Sequence, residues 1–331
     1  MNINEVLLIV KDKIEKSRYI IISTHTNPDG DAIGSEIALR NLVKHLGKKV
    51  YIINDSPTPD NLKFLDTENS ILHFDKSRDI QHFYSADLII IVDLNDPKRL
   101  KSVQEPVSNS RAFKIVIDHH IEPQKFADLY AINTEETSTG QMIFNLIRIF
   151  ENFIIDSQTA SAIYAAIMTD TGSFRFPGTN QETHITIGKL IECGADPVSI
   201  YDNIYNTGSL AATHILGEAL RNIKLYIDGK MSLMMITDDM FRSTGAKNED
   251  IDNFVEKTLA LKGIQLGVLI SNMPSKNEIR VSFRSKGVIS ARQLAAKFGG
   301  GGHFHAAGAR LFDMSLDDAK SKIIEEAAKL F

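Results

Sequence analysis

The sequence predicts an α/β protein, with an N-terminal doubly wound, mainly parallel sheet and a smaller C-terminal α/β domain. Three observations predict it. Apolar, β-branched runs such as Ile20-Ile21-Ile22 and Leu88-Ile89-Ile90-Ile91-Val92 carry no alternating polar residue, as strands buried on both faces do. Helical patterns separate these runs, the arrangement of βα units. The runs end abruptly in polar residues, and in open parallel sheets ligands bind beyond the carboxyl ends of the strands.

In chain order, residues 4–16 read as an amphipathic helix leading into a first strand that ends near Ser23. A helix over residues 32–45 follows, with Gly47 as its stop signal. Residues 50–53, 88–92 and 113–117 read as three further strands, the last two ending at Asp93 and at Asp118-His119-His120. Thr137-Ser138-Thr139-Gly140 opens an apolar helix through Ile149, with N-capping as the expected role of Ser138 and Thr139. An Ala-rich, buried helix over 158–168 stops at Thr169-Asp170-Thr171-Gly172. Thr179-Asn180-Gln181-Glu182 has the form of a capping box. Two helices then carry the chain across, which places a first domain at residues 1–200, a helical linker at 201–222 and a second domain at 223–331. The second domain opens with a hairpin around Asp228-Gly229-Lys230 and continues with a strand pair around Pro274-Ser275-Lys276-Asn277. A helix over 290–298 runs into Gly299-Gly300-Gly301-Gly302-His303, and a helix over 315–330 closes the chain.

The chain has 331 residues and a formal net charge of −5, without the broad basic surface that tracking a long nucleic acid requires. Its single cysteine, Cys193, excludes an internal disulfide and a cysteine-built zinc site. The first residues lack a basic region followed by an apolar stretch, so a cytoplasmic location is expected.

Four strand or helix ends carry chemistry: His25/Asp29/Asp31, Asp93, Asp118/His119/His120 and Asp170. Any one of them alone reads as an ordinary polar turn. Together, at the crevice end of the sheet, they read as a metal site. Carboxylates and imidazoles without thiolates favour Mn²⁺ or Mg²⁺, and the imidazoles favour Mn²⁺. So many anionic donors exceed what one cation needs. A pair of cations bridged by a carboxylate and holding a hydroxide would use them, and the chemistry implied is hydrolysis of a phosphate ester or anhydride by in-line attack.

These motifs, in this order, resemble the DHH phosphoesterase superfamily: His25-Thr26-Asn27-Pro28-Asp29-Gly30-Asp31, Asp93 after a strand, Asp118-His119-His120, and Thr169-Asp170-Thr171-Gly172-Ser173. The resemblance extends to a DHH-associated second domain through Gly299-Gly300-Gly301-Gly302-His303-Phe304-His305-Ala306-Ala307-Gly308. Length and domain pairing are most similar to the bacterial nano-RNase and adenosine 3′,5′-bisphosphate (pAp) phosphatase branch. The resemblance implies an active site in the cleft between the domains and two Mn²⁺ per chain, with Mg²⁺ or Co²⁺ as substitutes. His25, Asp29 and Asp93 would hold one cation, and Asp31, Asp93, His119 and Asp170 the other. His120 would face the substrate, with Asp118 supporting an imidazole.

In the second domain the resemblance places His303 and the loop of Gly300, Gly301 and Gly302 on the substrate, and Arg284 on its phosphate or base. A guanidinium would grip phosphate through two parallel hydrogen bonds. The expected substrates are short oligoribonucleotides, including the linear dinucleotide pApA, and pAp itself, with nucleoside monophosphates as products. An inorganic pyrophosphatase, an exopolyphosphatase and a RecJ-like exonuclease are the rival activities, and a non-catalytic nucleotide sensor is the rival of another class. A homodimer is expected by analogy alone.

Overall fold

Every residue of β1 (Tyr19–Ser23) is buried. Successive side chains of a strand point to opposite faces, so such a strand must be covered on both. In this computed structural model, which describes residues 2–273 and 278–331, it is. Ile20 and Ile22 enter one core with Ile33, Ile37, Met142 and Ile163 from helices, while Ile21 enters a second core with Phe83, Leu100 and Val103. β2 (Lys49–Asn54), β3 (Ile71–His73), β4 (Leu88–Val92), β5 (Phe113–Asp118) and β6 (Leu129–Ile132) complete the sheet. All its pairings are parallel, and the strand order is β3-β2-β1-β4-β5-β6. The order reverses between β1 and β4, so the loops leaving these two strands diverge and open a crevice between them.

The edge strands β3 and β6 and the helices Lys76–Ser85 and Gln104–Asn109 were not foreseen. β3 has three residues, too few for a period-2 pattern to stand out. The helix expected from residue 32 begins at Gly30, because the Asp29 side chain caps it by accepting from the backbone N–H groups of Asp31 and Ala32.

Small residues let this helix, Gly30–His45, approach the helix Ser157–Asp170. A Cβ on Gly34 would lie 2.2 Å from the carbonyl oxygen of Ala162, and one on Gly30 would lie 2.4 Å from Thr169 Oγ1. A Cβ on Gly140, in the helix Thr139–Ile147, would meet the Ala166 Cβ at 2.4 Å. Asp31 and Asp170 sit at the crevice ends of the first two helices, so their separation is set by glycine and alanine contacts.

The chain divides into two compact units, Met1–Thr207 and Gly208–Phe331. The helix Pro197–Tyr205 belongs to the first and the helix Leu210–Arg221 to the second. The second unit is a six-stranded mixed sheet of order β11-β12-β10-β9-β8-β7. β7 (Lys224–Tyr226) and β8 (Met231–Ile236) form the expected hairpin. β9 (Leu266–Met273) runs parallel to β8 and antiparallel to β10 (Glu278–Ser285). The turn expected at residues 274–277 lies outside the described residues. β11 (Gly301–Gly302) and β12 (Ala306–Leu311) extend the sheet beyond β10. Val281 and Phe283 face a core with the helices Ala291–Ala296 and Leu316–Ala328, while Met234 and Leu269 face another with Ile215, Phe241 and Phe254.

Candidate active site

The ends of β1 and β4 are tied together by Thr24, whose Oγ1 donates to the carbonyl oxygen of Val92 at 2.8 Å. The next residue is His25. Its Nδ1 lies 2.9 Å from the carbonyl oxygen of Thr26, which can only accept, so Nδ1 carries a proton and Nε2 is the nitrogen left to face the pocket. Nε2 is turned toward Asp93 Oδ2, 3.4 Å away. Asp31 is buried in the first turn of its helix. Thr139 N donates to its Oδ2 at 2.7 Å and Gly140 N to its Oδ1 at 2.8 Å. The N-terminus of the helix Thr139–Ile147 thus grips one carboxylate with two backbone groups, as a helix N-terminus does an anion. Thr139 Oγ1 also donates to Asp93 Oδ1 at 3.2 Å.

Asp93 follows β4 with a left-handed backbone, φ 56°, which is costly for a non-glycine residue. Its N–H donates to the carbonyl oxygen of Ile117 at 3.0 Å. Its carboxylate also faces the end of β5: Oδ1 lies 3.8 Å from His119 Nε2 and 3.5 Å from His120 Nδ1. His119 Nε2 lies 3.4 Å from Asp170 Oδ2 and 3.8 Å from Asp31 Oδ2. Asp118 turns back to hold His120, with Oδ1 2.6 Å from Nδ1.

The protonation states follow from this crowding. Burial, then the charges of Asp93, Asp170 and Asp29, push Asp31 well above the usual carboxylate range. Burial likewise lifts Asp170 to about 7; His119 pulls it down, and Asp93 and Asp29 push it up. Burial would raise Asp93 as well, but the His25 hydrogen bond and the His120 charge outweigh it and hold it far below the usual range. For His120, burial opposes the charge, yet the Asp118 hydrogen bond and the Asp93 charge lift it to about 9. Without a counter-charge, the carboxylates repel one another.

Three donor groups fit a cation: His25/Asp29/Asp93, Asp31/His119/Asp170 and Asp93/His119/His120, each with its ligand atoms within 4.8 Å of one another. Asp93 takes part in more than one of them. The fit is supported by His119 Nε2, which is buried among carboxylates and has no hydrogen-bond partner among the described residues. An imidazole lone pair in that position is stabilised by a cation and by little else. Sequence reasoning singled out these donors but missed the grip on Asp31. Thr139 and Gly140 read only as a capped helix start, and the signal available was a helix N-terminus opening at the crevice with no other assigned anion.

In the second unit, Arg280, Ser282 and Arg284 alternate with the buried Ile279, Val281 and Phe283, so the three share a face. Arg284 stands opposite Gly267 on β9 and Ala306 on β12. Burial lowers its proton affinity, and it donates to the carbonyl oxygen of Phe283 at 3.2 Å. Arg280 is instead paired with Asp252 at 2.8 Å. Gly301 and Gly302 pair with Gly308 and Ala307, and a Cβ on Gly300 would lie 2.1 Å from the carbonyl oxygen of Gly308. Close backbone approach therefore accounts for Gly300, and for Gly302, whose φ is 140° and whose Cβ would lie 2.5 Å from the carbonyl oxygen of Ala306. His303 is exposed at the turn closing this ribbon, with its N–H donating to the carbonyl oxygen of Ala306 at 2.7 Å.

The family model for the DHH family N-terminal domain matches residues 19–167, and that for the DHHA1 domain matches residues 232–330. The bifunctional oligoribonuclease and PAP phosphatase NrnA of Thermus thermophilus is 31% identical over 306 residues, covering 92% of this chain and 88% of that protein. The chain belongs to the DHH family. Its Asp-His-His run is Asp118-His119-His120, at the end of β5. Another DHH relative, NrnA of Bacillus subtilis, is 29% identical and covers 91% of each chain. The crystal structure of an exopolyphosphatase-related protein from Bacteroides fragilis superposes with a TM-score of 0.92 at 31% identity, covering 98% of this chain and 96% of that one.

Proposed function

We propose that this DHH chain is a Mn²⁺-dependent phosphoesterase. It hydrolyses short oligoribonucleotides such as pApA to nucleoside monophosphates and removes the 3′-phosphate of pAp to give AMP. The observation that carries this reading is the position of Asp93, which faces His25 on one side and His119 and His120 on the other. Similarity to the two NrnA enzymes over nearly the whole chain supports the substrate class. His25, Asp29 and Asp93 would hold one cation, and Asp31, Asp93, His119 and Asp170 the other. When bound, two such cations supply a hydroxide nucleophile at neutral pH and offset the charge of the phosphate. The chain's own residues do the rest. Thr139 and Gly140 fix the Asp31 carboxylate, and Thr24 locks the strand ends that aim His25 and Asp93. Asp118 and Asp93 favour the charged form of the His120 ring against the effect of burial. In that form the ring can donate to a phosphate oxygen or protonate the leaving oxygen. In the second unit, Arg284, His303 and the loop of Gly300, Gly301 and Gly302 are assigned to substrate binding.

One purified sample with Mn²⁺, offered pAp, a ribo-dinucleotide, a long RNA, pyrophosphate and polyphosphate side by side, tests the reading. Turnover of the first two, with little of the others, is expected. The exopolyphosphatase-related name of the Bacteroides fragilis protein gives polyphosphate a specific claim. The net charge of −5 opposes a long polyanion. Preferred turnover of polyphosphate would overturn the oligoribonucleotide assignment.

A further inference from the structure

We infer that Asp55 is a positioning residue of this site, one that sets the His25 ring and its loop for a divalent cation. The inference rests on the phosphoesterase reading for its metal, and the contacts behind it lie outside the metal-ligand motifs. Asp55 is the first residue beyond β2, the strand that pairs with β1. Its two carboxylate oxygens fasten two different segments. Oδ2 accepts from Thr26 Oγ1 at 2.7 Å, in the loop that leaves β1. Oδ1 accepts from Ser102 N at 3.0 Å and from Ser102 Oγ at 2.6 Å, in the 3-10 segment Pro97–Val103 that follows β4. The crevice opens between the ends of these two strands, so one side chain ties its two lips together. A carboxylate suits the task, because both of its oxygens only accept and each can take more than one donor.

Thr26 carries this hold to the metal donors. Its hydroxyl is on Asp55, its N–H donates to the carbonyl oxygen of Arg99 at 2.8 Å, and its own carbonyl oxygen accepts from His25 Nδ1 at 2.9 Å. The place of that carbonyl therefore decides where His25 Nε2 points. Ser56 secures the next residue, since its Oγ accepts from Asn27 N at 3.0 Å and donates to Asp55 Oδ2 at 3.3 Å. Asn27 has a left-handed backbone, φ 52°, and lies between His25 and Asp29. An imidazole fixed through its other nitrogen is already aimed when a cation arrives, and losing such support costs about tenfold to a hundredfold in metal affinity.

Mn²⁺ itself is the probe. The full chain is titrated with Mn²⁺ and followed by electron paramagnetic resonance for the wild type, Asp55→Ala, Thr26→Val and Thr26→Ser, with thermal unfolding of the metal-free proteins to show that each is folded. Asp55→Ala and Thr26→Val are each expected to weaken one of the two Mn²⁺ about tenfold to a hundredfold and leave the other unchanged. Thr26→Ser, which keeps the hydroxyl, stays near the wild type. Turnover of pAp lost at the Mn²⁺ concentration that saturates the wild type returns when Mn²⁺ is raised. Should Asp55→Ala fail to fold, the contrast between Thr26→Val and Thr26→Ser decides. Unchanged Mn²⁺ affinity in Thr26→Val, or a Thr26→Ser protein as weak as Thr26→Val, overturns the inference. A wild type whose second Mn²⁺ depends on Asp55 and Thr26 in this way, yet which hydrolyses no phosphate ester, would sink the enzymatic reading and leave this one standing.

Discussion

Asp118 Oδ1 lies 2.6 Å from His120 Nδ1, so the first residue of the Asp-His-His run orients the last. Asp118 is fully buried, and its other oxygen has no hydrogen-bond partner among the described residues. Its work is therefore local: it fixes one ring and keeps it charged. The substitution Asp118→Asn is expected to cut turnover of pAp about tenfold to a hundredfold, the usual cost of removing such support. The Asp118 interaction favours the charged form of His120, so the alkaline limb of the pH–rate profile should move down when it is lost. An unchanged limb would show that His120 is not the group titrating there.

The contact between two glycine-bearing helices sets the spacing of Asp31 and Asp170. In Gly34→Ala, helix propensity alone would favour alanine by about 1 kcal/mol. The new methyl, however, would lie 2.2 Å from the Ala162 carbonyl oxygen, a backbone atom that moves only if the helices part. A net loss of about 1–3 kcal/mol in urea unfolding is expected. Mn²⁺ affinity should fall with it, because the two carboxylates separate.

Much of the site was legible because a polar residue that ends a fully apolar run has few structural reasons to be there. His25, Asp93 and Asp118 each follow such a run. Less visible were features that depend on three-dimensional neighbours. Gly34 and Ala162 look like ordinary helix residues until the two helices are placed together. Thr139 and Gly140 look like a cap until Asp31 stands opposite. The short edge strands β3 and β6 are paired on one side only, and their patterns were too brief to separate from loop.

Glu36 is buried on the crevice-side helix, with Oε2 accepting from Asn54 Nδ2 at 2.8 Å. Asn54 Oδ1 in turn accepts from Thr24 N at 3.3 Å, next to His25. Burial pushes Glu36 well above its ordinary 4.5. A raised acid binds more protons folded than unfolded, so its contribution to stability falls as pH rises from 4.5 through the folded value. Glu36→Gln is expected to flatten that fall in a series of urea unfolding curves. Asn54→Ala, which strips the buried acid of its donor, should cost about 1–3 kcal/mol. If Glu36→Gln left the pH dependence of the wild type intact, Glu36 would not be its source.

Metal removal should unmask the same sign at the site. Asp31 and Asp170 are both raised, Asp170 from 3.8 to about 7 by burial and neighbouring carboxylates. Below 3.8 both the folded and the unfolded forms carry the proton, and nothing is lost. As pH climbs to about 7 the unfolded chain ionises first, so the EDTA-treated protein loses stability across that window. Thermal unfolding at a series of pH values should show this decline, and Mn²⁺ should abolish it.

Everything proposed for the chemistry requires Asp93 to hold two cations at once. Manganese content and electron paramagnetic resonance of the folded, Mn²⁺-loaded protein measure this directly, for the wild type and Asp93→Ala. Two magnetically coupled Mn²⁺ per wild-type chain, and at most one uncoupled Mn²⁺ in Asp93→Ala, is the result expected. A wild type that binds a single ion, or an Asp93→Ala protein that keeps a coupled pair, would contradict it.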